Sequence, residues 1–325
     1  MTVGFFMPKN SLWDARIESL RLTFPEHDFI AGLRPDSPEA FRLDIMVALN
    51  LPETAYLASA SLKAIFQPFT GVNHLPFAEL AKRGIRVFNV HANAPDVAER
   101  ALAMTLAFYG RIIEYHNDLK ASVWHGFWAR GGSEDNWDSI RGRNCAILGT
   151  GAIGIELAKL LKAFSCTVYG WRRRPGLEIP EYFDAILPDL RTAIGKAELV
   201  FLALPATPAT EGILSREILS SMKGKFLVNM GRGSLVDEEG LYEALRDGVL
   251  KGAAIDTWFQ YPKEGKAGPP SRFPIQDMKN VILSPHVGGS TNQARERTAD
   301  RTIANITGYL KSGICADEVD LGAAY

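Results

Sequence analysis

Short apolar runs alternate with polar, helix-periodic stretches along the whole chain. Between Thr2 and Val90 the runs TVGFF, DIMVAL, LKAIF and IRVFNV are compact, and polar helical or turn segments separate them. That alternation predicts a small parallel-sheet α/β domain. A longer helix is predicted next, with Asp96 as its cap and Val97, Ala101, Met104, Leu106 and Ile112 at roughly helical spacing. From NCAIL at 144 the alternation restarts with longer apolar runs: TVYG, ELVFLAL, KFLVNM, GAAID and NVILS. Strands without a polar face are covered on both sides, so this half predicts a second, doubly wound parallel sheet. The pattern from Thr291 to about Leu310 predicts one amphipathic helix that returns to the first domain. The Gly/Pro-rich PKEGKAGPPSRFP at 262–274 reads as a surface loop.

Bulk properties narrow the picture further. A chain of 325 residues is long for one core, which favours two domains. Lys+Arg 36 against Asp+Glu 37 leaves a net charge of -1, so there is no basic field for nucleic acid and no acidic solvating tail. The partners expected are small molecules or a second copy of the chain. Cys145, Cys166 and Cys315 are odd in number and widely spaced, which fits reduced, buried thiols better than disulfides or a zinc site. MTVGFFMPKN lacks a basic region followed by a sustained apolar stretch, and no run approaches the ~18 apolar residues of a membrane helix. A soluble, cytoplasmic protein with no membrane partner and no metal is expected.

Chemistry enters at AILGTGAIG. Gly149, Gly151 and Gly154 stand in G-x-G-x-x-G spacing after a predicted strand and at the opening of a predicted helix. One glycine serves the tight turn, one lets backbone approach a pyrophosphate, and one lets helix and strand pack closely, with the phosphate at the positive helix end. Thr150, Ala152 and Ile153 complete the candidate dinucleotide turn. A nicotinamide site carries an Asp or Glu at the end of the next strand, about 20 residues on, to bind the adenosine ribose hydroxyls. Here YGWRRRPG at 169–176 puts Arg172 in that place. A carboxylate would repel a 2′-phosphate, whereas a guanidinium grips it with paired, charge-assisted bonds. Arg172 and Arg173 are therefore candidate 2′-phosphate contacts, and NADP is expected over NAD; the plain alternative is a solvated turn.

Ligands of open α/β sheets bind outside the carboxyl ends of the strands. Those ends read ALPATPAT at 203–210, NMGRGSLVD at 229–237, IDTW at 255–258 and SPHVGGST at 284–291. Arg232 lies between two glycines, exposed by small neighbours, where a cation can hold a carboxylate. His286 follows a proline at a strand end, where an imidazole with pKa near 6.5 can donate and recover a proton. A lone histidine is more often structural.

Taken in order, GTGAIG, LPATPATEG, LVNMGRGSLVDEEGLYEAL, AAIDTW and NVILSPHVGGST resemble the D-isomer-specific 2-hydroxyacid dehydrogenase family, glyoxylate and hydroxypyruvate reductases among them, over nearly the full chain. The resemblance implies two Rossmann-like, flavodoxin-like parallel-sheet domains with a cleft between them. Residues 1–94 plus 287–325 would form a substrate-binding domain, and 95–286 an NAD(P)-binding Rossmann domain. Arg232 matches the arginine that orients the substrate carboxylate and carbonyl, and His286 matches the acid/base. Asp256 matches the acid at the nicotinamide carboxamide, and Leu204, Pro205, Thr210 and Met230 fall in the stretches lining the cofactor. FTGVN at 69–73 resembles the turn whose amides, here of Thr70 and Gly71, receive the substrate carboxylate.

The resemblance has one gap. The family's glutamate partner of the histidine stands five residues after the Asp256 equivalent and before a proline; here that place holds Tyr261, followed by Pro262. Glu264 is the less favoured substitute. A phenol is neutral at pH 7 and cannot raise the histidine pKa by charge, so the ring is expected near about 6.5 and reduction to decline from mildly acidic pH upward. The activity implied is reduction of a small 2-oxo acid with NADPH, Arg232 fixing the carboxylate and His286 supplying the proton. Rival readings are formate or phosphite oxidation, against which Arg172 stands, and a cofactor-sensing scaffold of the same fold with weak or no catalysis. Relatives also imply a homodimer, and Trp124, Phe127, Trp128 and Trp137 in the 121–137 arm are aromatics that need burial.

Overall fold

The computed structural model describes residues 1–174 and 178–322. Pro175 and Gly176 of the arginine-rich turn, and residues 323–325 of the expected substrate-binding domain, lie outside the described residues. The chain divides into two compact units, Met1–Asn93 with Ser290–Tyr325 and Ala94–Gly289.

In the first unit, strands β1 (Thr2–Phe5), β2 (Asp28–Ala31), β3 (Ile45–Val47), β4 (Ala64–Phe66) and β5 (Arg86–Phe88) form a parallel sheet in the order β2-β1-β3-β4-β5. Helices α1 (Ser11–Thr23), α2 (Glu53–Tyr56) and α3 (Phe77–Lys82) lie between them in sequence. Successive strand residues face opposite sides. Val3, Phe5, Ile45, Val47 and Phe66 therefore pack with Trp13, Ile17 and Leu20 of α1, whereas Met46, Ile65 and Val87 pack with Leu80 of α3. The apolar pattern does not predict β2: DFIA opens on exposed Asp28, and it becomes a strand by pairing with β1 at the sheet edge.

The second unit opens with α4 (Ala94–Tyr109) and α5 (Ile112–Lys120). The single helix expected through Ile112 is broken here. Gly110 is a poor helix former, Arg111 takes a left-handed φ of 48°, and Ile112 begins a new helix none of whose residues is buried. Asp96 lies within the first turn of α4 rather than capping it from outside.

There follow β6 (Asn144–Leu148), α6 (Ala152–Ala163), β7 (Thr167–Trp171), β8 (Ala185–Ile186), α7 (Leu190–Lys196), β9 (Leu199–Leu202), α8 (Arg216–Ser220), β10 (Phe226–Asn229), α9 (Glu238–Arg246), β11 (Gly252–Ile255) and β12 (Val281–Leu283). Their parallel sheet runs β12-β11-β10-β9-β6-β7-β8. Ala146, Leu148, Val200, Leu202 and Leu227 meet Ile194 of α7, Leu219 of α8 and Leu241 of α9 on one face. Cys145, Ile147, Leu199, Phe201 and Val228 meet Ala101 of α4 and Leu157 of α6 on the other. Each fully buried large apolar side chain contributes about 1.5–3 kcal/mol, which is why both helical layers stay docked. The strand order reverses between β6 and β9, and this is the switch point outside which a doubly wound sheet binds its ligand.

The last helix, α10 (Asn292–Ser312), returns to the first unit, where Ala299 and Ile306 enter the α1 face of the core. Thr291 Oγ1 caps it by accepting from the Ala294 N–H at 2.9 Å. Cys145 and Cys166 are buried, Cys315 is half-buried, and all three are free thiols. No helix among the described residues is long and apolar enough to cross a membrane.

Candidate active site

The glycine turn sits on the switch point. Gly149 follows β6 with φ of 111°, and a methyl carbon placed on it would lie 2.5 Å from the Ala203 carbonyl oxygen beyond β9. Any side chain there is excluded twice, by the backbone conformation and by the neighbouring strand. At Gly154, inside α6, a methyl carbon would collide with the Gly149 carbonyl, so helix and turn touch backbone to backbone. Gly151 differs: nothing lies within 4 Å of the position its side chain would take. Gly151 caps α6 in extended geometry, and Gly151 and Ala152 are exposed, with Thr150 and Ile153 half-buried. Two glycines thus close the turn and the third keeps open space at the amino end of a twelve-residue helix. That is the shape a pyrophosphate requires, so these residues fit a dinucleotide.

Beside the turn, the loop after β9 is self-contained. Thr210 Oγ1 bonds the Pro205 carbonyl at 2.7 Å and accepts from the Thr207 N–H at 2.8 Å. Thr210 is buried, so its hydroxyl shapes the loop around Leu204 and Pro205. At the end of β7, Arg172 is half-buried and its Nη2 donates to the Glu178 carbonyl at 2.8 Å, while Arg173 is exposed.

Arg232, Asp256, Tyr261 and His286 come together from the ends of β10, β11 and β12. Gly231 and Gly233 let the Arg232 backbone pass between its neighbours. A methyl carbon on Gly231 would lie 2.7 Å from the Leu204 carbonyl, and one on Gly233 would strike the Trp258 carbonyl. Burial pushes the Arg232 guanidinium below its ordinary pKa, against a pull upward from Tyr261. Its Nη1 donates to the Gly231 carbonyl at 2.8 Å, leaving further donors of the planar fork for a carboxylate.

His286 stands in a left-handed conformation, φ 57°. Such a conformation costs a non-glycine residue on the order of 1–3 kcal/mol. Asp256 offsets it, because its carboxylate accepts from the next two amides, Val287 and Gly288, both at 3.0 Å. Ser284 Oγ donates to the same carboxylate at 2.5 Å, Arg100 Nε of α4 donates to Ser284 Oγ at 3.2 Å, and Trp258 Nε1 donates to the Ser284 carbonyl at 2.8 Å. Met230 is buried beneath this loop, its Cε 3.0 Å from where a Gly288 side chain would begin. Asp256 is thus a buried anchor of the histidine loop. Ser284, Trp258 and Arg100 in this role were not among the sequence candidates; the only hint is that Ser284 and Trp258 sit inside SPH and IDTW.

The imidazole Nδ1 lies 2.8 Å from Tyr261 Oη, which also accepts from the Trp258 N–H at 3.2 Å. Glu264 is exposed in the following loop and makes no hydrogen bond to the ring. Partial burial lowers the His286 pKa, Arg232 lowers it further, and Asp256 opposes both. Burial and Arg232 both disfavour the imidazolium form. Burial raises the Tyr261 phenol, with the Trp258 N–H and Arg232 acting against it. In the first unit, Thr70 and Gly71 are half-buried in a turn held by Thr70 Oγ1, 3.0 Å from the Val90 carbonyl, and by Asn89 Nδ2, which donates to the Thr70 carbonyl at 2.8 Å.

The family profile described as D-isomer specific 2-hydroxyacid dehydrogenase, NAD binding domain, matches residues 102–288. A glyoxylate reductase of Thermofilum pendens is 32% identical over 263 residues, 78% of this chain and 74% of its own. A D-3-phosphoglycerate dehydrogenase of Dictyostelium discoideum is 29% identical over 310 residues, 94% of this chain and 72% of its own. In fold, the chain resembles an acyclic imino acid reductase solved with NADPH and D-Arg, with TM-score 0.82 and 22% identity over 98% of this chain and 100% of that one. The profile spans more than half of the chain and covers the glycine turn, Arg232, Asp256 and His286, so the protein is a member of the D-isomer-specific 2-hydroxyacid dehydrogenase family, an NAD(P)-dependent oxidoreductase.

Proposed function

We propose that this enzyme reduces a small 2-oxo acid of the glyoxylate or hydroxypyruvate type to the D-2-hydroxy acid and prefers NADPH. The observation that carries the reading is the cluster at the ends of β10 to β12: a partly desolvated guanidinium, Arg232, in the electrostatic reach of an imidazole, His286, whose far nitrogen is fixed by Tyr261. The glyoxylate reductase of Thermofilum pendens supports the substrate class. When bound, the reduced nicotinamide supplies the hydride. Arg232 holds the substrate carboxylate through its planar fork and draws the carbonyl into place, and His286 Nε2 delivers a proton to the oxygen as negative charge develops there. The Thr70–Gly71 amides are a further proposed hold on the carboxylate, as the family resemblance implies. Gly149 to Gly154 cradle the pyrophosphate, and Leu204, Pro205, Thr210 and Met230 shape the adjoining wall.

Arg172, in the place of the ribose-binding acid, supports the NADP preference, with Arg173 as second contact. Losing charge-assisted bonds to a phosphate costs about 1.5–3 kcal/mol each. Arg172→Asp combined with Arg173→Ala is expected to raise the KM for NADPH by roughly 10²-fold or more while sparing NADH. An unchanged NADPH preference would mark these arginines as a solvated turn.

A steady-state assay with NADPH and NADH against glyoxylate, hydroxypyruvate, larger and phosphorylated 2-oxo acids tests the whole reading. Turnover of the small acids is the expected result. Tight NADPH binding without turnover of any acid would favour the cofactor-sensing alternative, which the neutral Tyr261 in place of a carboxylate supports.

A further inference from the structure

Building on the reading of this site as a 2-oxo acid reductase, we propose that Tyr261 and His286 form a proton relay. The neutral imidazole presents an Nε2–H to the substrate oxygen, and the phenol of Tyr261 replaces that proton through Nδ1. Tyr261 is then a positioning and proton-supplying residue acting through His286, in a place where the family resemblance implies a carboxylate.

The hydrogen-bond polarity supports this direction. A backbone N–H can only donate, so the Trp258 N–H at 3.2 Å engages the phenol oxygen as an acceptor. Nδ1, at 2.8 Å from Oη, is placed to receive the phenolic hydrogen. An imidazole that accepts at Nδ1 carries its hydrogen on Nε2. The charged groups around the pair are Arg232, from the end of β10, and Asp256, from the end of β11. Burial disfavours both imidazolium and phenolate, the Trp258 N–H favours phenolate, and Arg232 disfavours imidazolium and favours phenolate. Asp256 acts the other way, but Ser284, Val287 and Gly288 already donate to its carboxylate. An imidazole that gives up its Nε2 proton is restored by a proton at Nδ1, and the phenol, 2.8 Å from Nδ1, is in place to supply it.

The step balances. As the carbonyl carbon gains hydride, the C=O π pair moves to oxygen, which bonds the Nε2 proton as that N–H breaks. Nδ1 bonds the phenolic proton as the O–H breaks, leaving neutral imidazole and phenolate. After product leaves, solvent protonates Nε2 and Nδ1 returns its proton to Oη. One hydride, from the reduced nicotinamide of the family's own chemistry, and one solvent proton are consumed per turnover.

Two measurements test the relay. On the cofactor-free protein with 15N-labelled histidine, His286 being assigned by its loss in His286→Gln, the ring is expected as the neutral Nε2–H tautomer at pH 7 and as a tautomer mixture in Tyr261→Phe. Imidazolium at pH 7, or a tautomer unchanged in Tyr261→Phe, overturns the proposal. With NADPH saturating, the relay replaces the decline expected of an imidazole acting alone: wild-type kcat/KM for 2-oxo acid reduction is expected to stay level from about pH 6 to about pH 8. Tyr261→Phe should lose on the order of 10²-fold at the alkaline end and recover toward acid, where imidazolium donates directly. Tyr261→Glu should resemble wild type by the other route, through a charged ring. A wild-type profile that already declines from mildly acidic pH, as donation by imidazolium alone requires, overturns the relay, as does a Tyr261→Phe profile superimposable on wild type. A wild type inert toward every 2-oxo acid overturns the functional reading instead, and the ring tautomer separates the two failures because it is read without turnover.

Discussion

His286 is held in a conformation it would not choose. Its left-handed backbone survives because Asp256 gathers the two following amides, and an amide nitrogen in place of one carboxylate oxygen cannot accept from them. Asp256→Asn is therefore expected to cost about 1–3 kcal/mol, seen as a lower unfolding midpoint in denaturant, and to lower kcat more than it raises KM as the ring loses its aim. A variant with wild-type stability and kcat would show that the loop is held elsewhere. Arg232 gives the complementary test. Arg232→Gln removes a charged fork from a partly buried place and is expected to lower kcat/KM by roughly 10- to 150-fold, the equivalent of about 1.5–3 kcal/mol. Arg232→Lys should recover only part, since a point charge lacks the paired geometry.

At the scale of elements, the three glycines of the β6–α6 turn divide their labour in a way that mutation can separate. Gly149→Ala meets the Ala203 carbonyl in a backbone conformation that alanine resists, so a clear loss of thermal stability is expected. Gly151→Ala faces open space; its stability should hold while the dissociation constant for the dinucleotide rises, as calorimetry would show. Equal stability losses in both would contradict the division. The 121–137 arm has its own fastening. His125 lies between Asp135, 2.6 Å from Nδ1, and Asp118, 2.8 Å from Nε2, and it stacks on Tyr115. The Asp135 bond, then the Asp118 bond, raises the His125 pKa, while the Gly126 amide and His125 lower that of Asp135. A raised histidine adds stability that is complete below its unfolded value of about 6.5 and is lost as pH climbs through the folded value. The lowered aspartate contributes above about 3.9 and loses its share as pH falls through its own folded value. The arm should thus be tightest in mildly acidic solution and loosen toward alkaline pH, seen as faster proteolysis near Trp128, and His125→Gln should flatten that dependence.

For the whole molecule, the arm poses a question of surface. Phe127 is 87% exposed and Trp128 79%, and Trp124 and Trp137 are each 60% exposed. Packing within one chain, the alternative to a partner, does not cover them. Exposed aromatics concentrated in one arm are the kind of surface an association site presents, and we propose a second copy of the chain as its occupant. Light scattering is expected to give twice the mass of 35.7 kDa at micromolar concentration, with Phe127→Asp combined with Trp128→Asp shifting it to monomer. A wild-type monomer would end the dimer reading.

Much of the architecture was legible because burial imposes period. Strands covered on both faces must be apolar throughout, so β9, β10 and β11 and most of β6 stand out, and at Gly149 and Gly154 the glycine spacing between β6 and α6 is dictated by backbone contact that tolerates no side chain. Arg172 at the end of β7 was legible for the same reason: the strand fixes its position along the chain. What the pattern misses are elements made by their neighbours. DFIA becomes β2 because β1 offers an edge, and two residues become β8 because β7 does. The break between α4 and α5 falls at Gly110 and at Arg111, whose left-handed backbone no periodicity marks. At the site, the strand ends named Arg232 and His286, and the family resemblance added Asp256 and Tyr261. Their hydrogen-bond partners and the direction in which each bond points depend on distances of about 3 Å between residues tens of positions apart. Only the folded sheet brings those residues together, because it lays the carboxyl ends of β10, β11 and β12 side by side.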